Sequence, residues 1–429
     1  MISLFAAAAL AATPITLDEV RAAGRQNVEA LRAELDAQKT AAGKRLSISP
    51  ILPQVSMQTG ISYSATGPQE QYNPYTQSST DVPGSGRGNF TLGLTLNQLI
   101  YDGGKWWNEI IRAGAADEAA QGQLAEQRLA SQFEAERRFW ELLRAQASRD
   151  VLVASVQRSQ TQLERAQNLF QAGRAQRRDA LEAEINLGTD QVSVLRQEDS
   201  IARARNELLK WIARPTALVQ AVDPKVPART EEPSLDALLE RARGKRPLLA
   251  ALKARERVAE RAIEIAWAPF VPRVSGSVGY SRNAPGADPF FTDPAKQHGF
   301  NIGVNMQWDI FSGFSTTAQV ESARQDLRVA QLNTAQAERE LGSDLALGHE
   351  VLGRAKEILK IAQRNEDLAR KSLEMAEERY AAGASTSLEV RDAQVKLTQV
   401  ELQALQGRID VEVARASLLR LAGGEGESK

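Results

Sequence analysis

Residues Phe90–Trp107 read "FTLGLTLNQLIYDGGKWW", and residues Phe300–Thr317 read "FNIGVNMQWDIFSGFSTT". In each, apolar and polar side chains alternate, a glycine follows at Gly103 or Gly313, and a long Ala-rich, charged stretch begins. Alternation with period two predicts a strand with one apolar and one polar face. The apolar sets are Phe90, Leu92, Leu94 and Leu96 in one copy, and Phe300, Ile302, Val304, Met306, Trp308 and Ile310 in the other. The opposite faces carry Thr91, Thr95 and Asn97, or Asn301, Asn305, Gln307 and Asp309.

The two stretches lie 210 positions apart, Phe90 to Phe300, and the same offset pairs Gly103 with Gly313, Arg144 with Arg354, Phe170 with Tyr380, Gly173 with Gly383 and Leu187 with Leu397. Upstream, Ser49–Ser56 ("SPILPQVS") answers Ala268–Ser275 ("APFVPRVS"). The chain is a tandem duplication, and its period sets the architecture. Each half predicts a helix first, over about Leu17–Leu46 and Leu235–Trp267, stopped by Pro50 or Pro269, because proline removes a donor and clashes with the preceding turn. A first strand follows, with Val55, Met57, Ile61 and Tyr63 or Val274, Val278 and Tyr280, and then a Gly/Pro/Asn/Ser-rich loop before the second strand.

The expected organisation is a leader at 1–11, a first repeat at 12–214, a linker at 215–233, a second repeat at 234–422 and a tail at 423–429. The first repeat holds a β-hairpin at 53–101 and a helical hairpin at 105–213; the second holds a β-hairpin at 272–311 and a helical hairpin at 315–421. The leader is read as a secretory signal, because the apolar run Leu4–Ala12 contains the A-x-A site Ala9-Leu10-Ala11.

Lys105–Gln171 and Ser315–Ala381 lack proline, and a helix of that length runs about 100 Å. Seam positions step by three and four along Leu352, Ala355, Leu359, Ala362, Glu366, Ala369, Leu373, Ala376 and Tyr380. The return helix does likewise along Val390, Ala393, Leu397, Val400, Ala404, Gly407, Val411, Ala414, Leu418 and Leu421. A sustained period of 3.5 is the coiled-coil pattern. Gly173 and Gly383 suit the left-handed turn that ends each long helix, and Ser385 or Thr386 suits the cap of the second return helix.

Composition narrows the function. The 429 residues carry a net charge of −1, which gives no electrostatic footprint for nucleic acid. Cysteine is absent, so there is no disulfide, thiol nucleophile or cysteine metal site. His298 and His349 are the only histidines, and "GSGRGN" (Gly84–Asn89) lacks the Lys-Ser/Thr of a phosphate-binding loop. No enzyme, cofactor or metal is expected. No apolar run reaches about 18 residues, so any membrane crossing must come from strands. Alternation suits a half-buried soluble sheet as well as a barrel, but the flanking helices offer mostly Ala, Gln and Arg to cover an apolar face. Four strands cannot close a barrel that needs about eight, and an open edge in lipid leaves backbone groups unpaired. A membrane sheet therefore requires oligomerisation.

In the duplicated strand-strand-helix-helix order, the junction prolines, the "YDGG" (Tyr101–Gly104) and "FSGF" (Phe311–Phe314) steps and the aromatic-x-x-Gly tips at Phe170–Gly173 and Tyr380–Gly383, the chain resembles the TolC-like outer-membrane efflux family from about Ile15 to Ala422. The resemblance implies a mainly α fold with β. Tandem-duplicated antiparallel coiled-coil hairpins accompany four strands per chain in a shared, trimeric, 12-stranded transmembrane β-barrel. It implies residence in the outer membrane of a Gram-negative bacterium, in outer-membrane lipid, extending into the periplasm. The implied function is a passive exit duct of a tripartite efflux or type I secretion system, working with a periplasmic adaptor (membrane fusion) protein and an inner-membrane pump of RND or ABC type. The competing class is a non-conducting coiled-coil spacer or adhesin, which explains the heptads but not the strands.

By the same resemblance Glu389 and Asp392 form acidic gate or selectivity rings, and Tyr380 and Asp179 form a gate-closing hydrogen bond. The adaptor-contact tips are Gly173, Arg174, Gly383 and Ala384. Ser385 stands where the family usually has a gate arginine. Bottom-up, Glu389 and Asp392 also fit an ordinary acidic first turn, Tyr380 also fits the packed seam, and the basic run Arg174, Arg177 and Arg178 fits solvated charge as well as an acidic partner. Tyr101, Trp106, Trp107, Trp308 and Phe311 are placed at the membrane interface, where rings with an apolar body and a polar edge settle.

Overall fold

A computed structural model describes residues 13–214, 218–224, 233–285, 290 and 298–424. The leader at 1–11 lies outside the described residues, as do most of the linker and the end of the tail. In chain order the elements begin with β1 (Thr13–Ile15), α1 (Leu17–Gly24), α2 (Val28–Leu46), β2 (Gln54–Thr66), β3 (Gln69–Asn73), β4 (Ser78–Val82), β5 (Ser85–Tyr101), α3 (Lys105–Gln171) and α4 (Arg177–Trp211). They continue with β6 (Val219–Ala221), α5 (Leu235–Lys245), α6 (Pro247–Trp267), β7 (Arg273–Ala284), β8 (His298–Gln307), α7 (Ser315–Ala381) and α8 (Ser387–Leu421). Both bounds of α3 and α4 recur in α7 and α8 at the repeat offset.

Contacts divide the chain into two compact units. One comprises Met1–Ala37, Ala120–Ala251 and Thr334–Lys429; the other comprises Gln38–Ala119 and Leu252–Asn333. Each draws on both sequence repeats.

The helical unit is built on seams. Every predicted seam residue of α7 and α8 is buried or half-buried, and the intervening positions of α7 are largely exposed. Leu163 and Ala166 of α3 pack on Ala183 and Leu187 of α4; Leu373 of α7 packs on Val390, Ala393 and Leu397 of α8. Gly407 sits 3.3 Å from the Leu359 backbone at its Cβ position, so its lack of a side chain permits the approach. Two larger cores close the hairpin bases. One gathers Ile15, Leu17, Val20, Phe139, Trp140, Leu142, Leu208, Leu209, Val219 and Ile409. The other gathers Leu238, Leu249, Leu341, Leu345, Leu352, Leu418 and Leu421.

Several predicted boundaries change. The helix expected over Leu17–Leu46 breaks at Asn27, whose Oδ1 accepts from the N–H groups of Glu29 (2.9 Å) and Ala30 (3.0 Å) and so caps α2. The helix expected over Leu235–Trp267 breaks before Pro247, where Arg246 is extended with ψ 120° because a residue preceding proline is pushed out of the helical region. The linker is not structureless: β6 pairs in parallel with β1, Thr13 opposite Val219. The first long loop folds into a ribbon, with β3 antiparallel to β4 and Asn73 Oδ1 holding the turn through the Tyr75 N–H at 3.0 Å. β8 ends at Gln307, short of Phe311, because its partner begins opposite at Arg273, directly after Pro272.

The sheet of the second unit has four antiparallel strands in the order β2-β5-β7-β8. Its register aligns Val55, Leu96, Val278 and Ile302 across all four strands, and Met57, Leu94, Tyr280 and Phe300 in the next apolar row. The row between them, on the other face, is Ser56, Thr95, Gly279 and Asn301. The first face is apolar through these rows and carries Thr59, Leu92, Arg282 and His298 in the next; the other is mostly Ser, Thr, Asn, Gln and Gly, with Arg87 and Arg273 towards its ends. Nothing among the described residues covers the apolar face on the edge strands: Val55, Ile61, Ile302 and Val304 are each more than 70% exposed.

Candidate functional site

The hairpin tips carry most of the predicted functional residues. α3 ends in a Schellman turn: Arg174 N–H donates to the Leu169 carbonyl at 2.8 Å and Gly173 N–H to Phe170 at 2.9 Å. α7 repeats it through Ala384 to Arg379 at 2.8 Å and Gly383 to Tyr380 at 3.0 Å. Gly173 and Gly383 hold φ at +70° and +76° with open space where a Cβ would go, so conformation rather than crowding requires glycine.

Beyond the second tip, Thr386 caps α8 and its Oγ1 accepts from the Glu389 N–H at 3.4 Å. The Glu389 carboxylate in turn accepts from Ser385 Oγ at 2.6 Å and lies 3.8 Å from the Arg379 guanidinium. Asp392 is paired with Lys396 at 2.6 Å, one turn along the same face. Each acidic position therefore has a cation of its own chain beside it. Lys396 was legible from its i,i+4 spacing; Arg379 was not, since it reaches across the turn.

Asp179 occupies the first turn of α4, and its carboxylate folds back to accept from the Gln176 N–H at 3.3 Å. Tyr380 packs in the α7–α8 seam. Both line a cleft of about 920 Å³ together with Arg165, Arg174, Arg178 and Ser385. The expected hydrogen bond between them is not formed among the described residues, because capping draws the Asp179 carboxylate back onto its own helix. Their coupling is electrostatic: burial first, then the Asp179 charge, pushes the Tyr380 phenol up, with Arg165 opposing.

One cluster escaped the sequence reading. Arg391 of α8 donates through both guanidinium nitrogens to Asp190 of α4, at 2.8 and 2.9 Å, and to Ser159 of α3 at 3.1 Å. Ser159 and Ser155 also donate to Asp190. The signal lay in a break of the repeat: the counterparts of Asp190 and Arg391 at the 210-residue offset are the apolar Val400 and Leu181. Burial pushes the Asp190 carboxyl up and is the largest single influence. The Arg391 and Ser159 hydrogen bonds, the Arg391 charge and Ser155 together outweigh it and hold the carboxyl below its ordinary value. With the folded value depressed, its contribution to stability is full above the ordinary carboxylate range and is lost as pH falls through the lowered value. Acid unfolding followed by circular dichroism from about pH 6 downward is expected to lose that limb in Asp190→Asn.

In the strand-bearing unit, Tyr101 ends β5 and the Asp102 carboxylate caps α3, accepting from the Trp106 N–H at 3.1 Å. A Cβ on Gly103 (φ +76°) would lie 2.7 Å from the Ala268 carbonyl, so the joint needs glycine for space as well as conformation. Trp106 and Trp107 stack edge to face at 5.6 Å. Trp308 Nε1 donates to the Phe270 carbonyl at 3.2 Å, and Phe311 meets Phe314 edge to face at 5.5 Å. Tyr101, Trp107, Trp308 and Phe311 are exposed and Trp106 half-buried. No cluster able to hold a metal, and no helix long and apolar enough to cross a membrane, occurs among the described residues.

Long paired helices in duplicate, with a four-stranded sheet exposing apolar side chains, are the fold of an outer-membrane protein family. The family profile described as "Outer membrane efflux protein" matches residues 20–214 and 238–424, and the chain belongs to that family. Its place is the outer membrane of a Gram-negative bacterium, extending into the periplasm. It is 22% identical over 382 residues to the outer membrane protein TolC of Vibrio cholerae, covering 88% of this chain and 83% of that one. It is 31% identical over 164 residues to the pyoverdine export outer membrane protein OpmQ of Pseudomonas aeruginosa, a match spanning 37% of this chain and 35% of that one. The fold matches the Campylobacter jejuni CmeC outer membrane channel with a TM-score of 0.79 at 16% identity, covering 96% of this chain and 87% of that one.

Proposed function

We propose that three copies of this chain share one barrel of twelve strands and act as the passive exit duct of a tripartite efflux or type I secretion system. The observation that carries this reading is the sheet: four strands with apolar rows on one face, and β2 and β8 each left with one unpaired edge among the described residues. In lipid an unpaired edge costs several kcal/mol per backbone group, and joining β8 of one copy to β2 of the next removes every edge.

The helical unit supports the same assembly. Contacts place its long helices in the lateral order α4, α3, α8, α7. The two outer helices carry second apolar stripes with no partner among the described residues. On α4 these are Leu181, Ile185, Val192 and Leu195; on α7 they are Val351, Ile358, Ile361, Leu368 and Met375, all exposed. Steps of three, four and seven make both stripes coiled-coil seams, and the α4 stripe of one copy meets the α7 stripe of the next in a closed ring.

In this reading the tips around Gly173, Arg174, Gly383 and Ala384 receive the periplasmic adaptor. The region of Asp179, Tyr380, Glu389 and Asp392 narrows the mouth, and an inner-membrane pump supplies the energy. The duct passes what its pump delivers, and the sheet face opposite the apolar one supports this by being mostly uncharged and polar, with Arg87 and Arg273 towards its ends.

Purified protein in planar bilayers is expected to insert as a trimer and give discrete conductance steps. The double variant Ile185→Glu/Ile358→Glu, which places carboxylates in both outer stripes, is expected to run as monomers by light scattering. Stable trimers that never conduct would favour the spacer or adhesin instead.

A further inference from the structure

The four-stranded sheet carries charge of one sign only. Along Gln54–Thr66, Ser85–Tyr101, Arg273–Ala284 and His298–Gln307 there is no aspartate or glutamate, but there are three arginines, Arg87, Arg273 and Arg282. Arg282 lies on the apolar face beside Leu92 and His298, donates to the Phe290 carbonyl and sits 4.7 Å from the centre of that ring. The other two lie on the polar face. Arg87 is opposite Ser64 towards the loop end, and Arg273 is opposite Gln307 at the end joined to the helices. Both are exposed, and neither meets a carboxylate among the described residues.

Strand pairing does not require either charge. At the upstream repeat offset Gln54 stands where Arg273 does, and at the downstream offset Gln297 stands where Arg87 does. Each place thus takes an uncharged side chain in the other repeat, and what the arginine adds is its sign. The carboxylates nearest in the chain offset that sign only in part. Asp102 is taken up in capping α3, accepting from the Trp106 N–H at 3.1 Å. Glu70 and Asp81 face each other on the exposed β3–β4 ribbon, beyond the strands. Asp309 follows β8 by two residues and is exposed, so it alone weighs against Arg273 at that end. At the hairpin tips, Glu389 and Asp392 each have a cation beside them, Arg379 and Lys396.

We propose that Arg87 and Arg273 make the barrel lumen selective for anions, so that among the solutes its pump delivers the duct favours those bearing carboxylate, phosphate or sulfonate groups. The proposal rests on the shared-barrel, exit-duct reading, in which the polar face lines the lumen and three copies turn each arginine into a ring of three cations. Rings of like charge in a channel wall raise the local concentration of counter-ions and exclude ions of their own sign. The two arginines are therefore specificity-determining residues: the polar face passes solutes, and the rings set the preferred sign.

Reversal potentials of the full-length trimer in planar bilayers, under a gradient of potassium chloride, test this. Wild type is expected to prefer chloride over potassium about two- to fourfold near about 0.1 M salt, falling toward unity near about 1 M, where the screening length shortens to about 3 Å. Arg273→Gln and Arg87→Gln install the residue that the other repeat already carries, so assembly is expected to survive. Each lowers the ratio, and the double variant removes the preference. Arg273→Lys keeps the charge and the preference, which a role in shape or packing would not predict, and Asp309→Asn raises it. Should the double variant fail to assemble, Arg273→Gln against Arg273→Lys decides the matter. A wild-type preference for potassium, or a ratio that these substitutions leave unmoved, would overturn the anion-selective lumen while the duct stands. Trimers silent in every form would overturn the duct and this inference with it.

Discussion

Ile302→Arg is expected to abolish insertion of the protein into the outer membrane, while Asn301→Arg, one position away, leaves insertion intact. Ile302 lies mid-strand in β8, in the row with Val278, Leu96 and Val55, and is 72% exposed. If that face meets lipid, an arginine there costs about 2–4 kcal/mol per chain, and a threefold assembly carries the cost three times. Asn301 belongs to the opposite row, beside Gly279 and in line with Thr95 and Ser56, where a longer polar side chain projects into water. Membrane fractionation and heat-resistant trimers on gels read the outcome. Equal tolerance of both substitutions would mean that the apolar face is covered by something other than lipid.

Trp140→Ala is expected to lower stability by about 3–5 kcal/mol, against less than about 0.5 kcal/mol for Trp107→Ala. Trp140 is 2% exposed and sits in the core where β1, α1, α3, α4, β6 and α8 converge. Its ring meets Phe139 edge to face at 5.6 Å, and its Nε1 donates to Glu136 at 3.4 Å. Glu136 is itself clamped bidentately by Arg21 at 2.8 and 2.9 Å, so the loss also loosens the N-terminal segment. Trp107 is more than half exposed and has little to lose. The midpoint of urea unfolding in detergent, followed by circular dichroism, separates the two. Equal midpoints would show that this core is not what holds the hairpin bases.

Much of the fold was legible because periodicity is local. The positions of Leu352 to Tyr380 and Val390 to Leu421 repeat at 3.5 residues, and a helix with that pattern has one face to bury whatever it meets. The tips were legible because a left-handed turn needs glycine at Gly173 and Gly383. Two helix breaks, at Asn27 and Pro247, were also written in the sequence and lost within longer helical patterns: an N-cap asparagine and a proline at the first helical position are weak signals against many good helix formers. The β3–β4 ribbon was hidden by composition, since a segment rich in Ser, Thr, Gln and Asn looks like loop until its two arms find each other.

The site divides in the same way. Glu389, Asp392, Asp179 and Tyr380 were named from the family resemblance, which sets them at fixed spacings about the tip glycines. Arg391 and Asp190 were not, because 201 positions separate them, and what joins them is the choice of which helix lies beside α8. By itself the sequence determined the duplicated order of strands and helices, the seam within each hairpin and the face of each strand, since these depend on residues a few positions apart. Only the tertiary structure decided that β1 pairs with β6, that α8 lies against α3 through polar contacts such as Arg158–Glu401, and that it reaches α4 through the half-buried Asp190–Arg391 ion pair. Those contacts join segments far apart in the chain, and no local period specifies them.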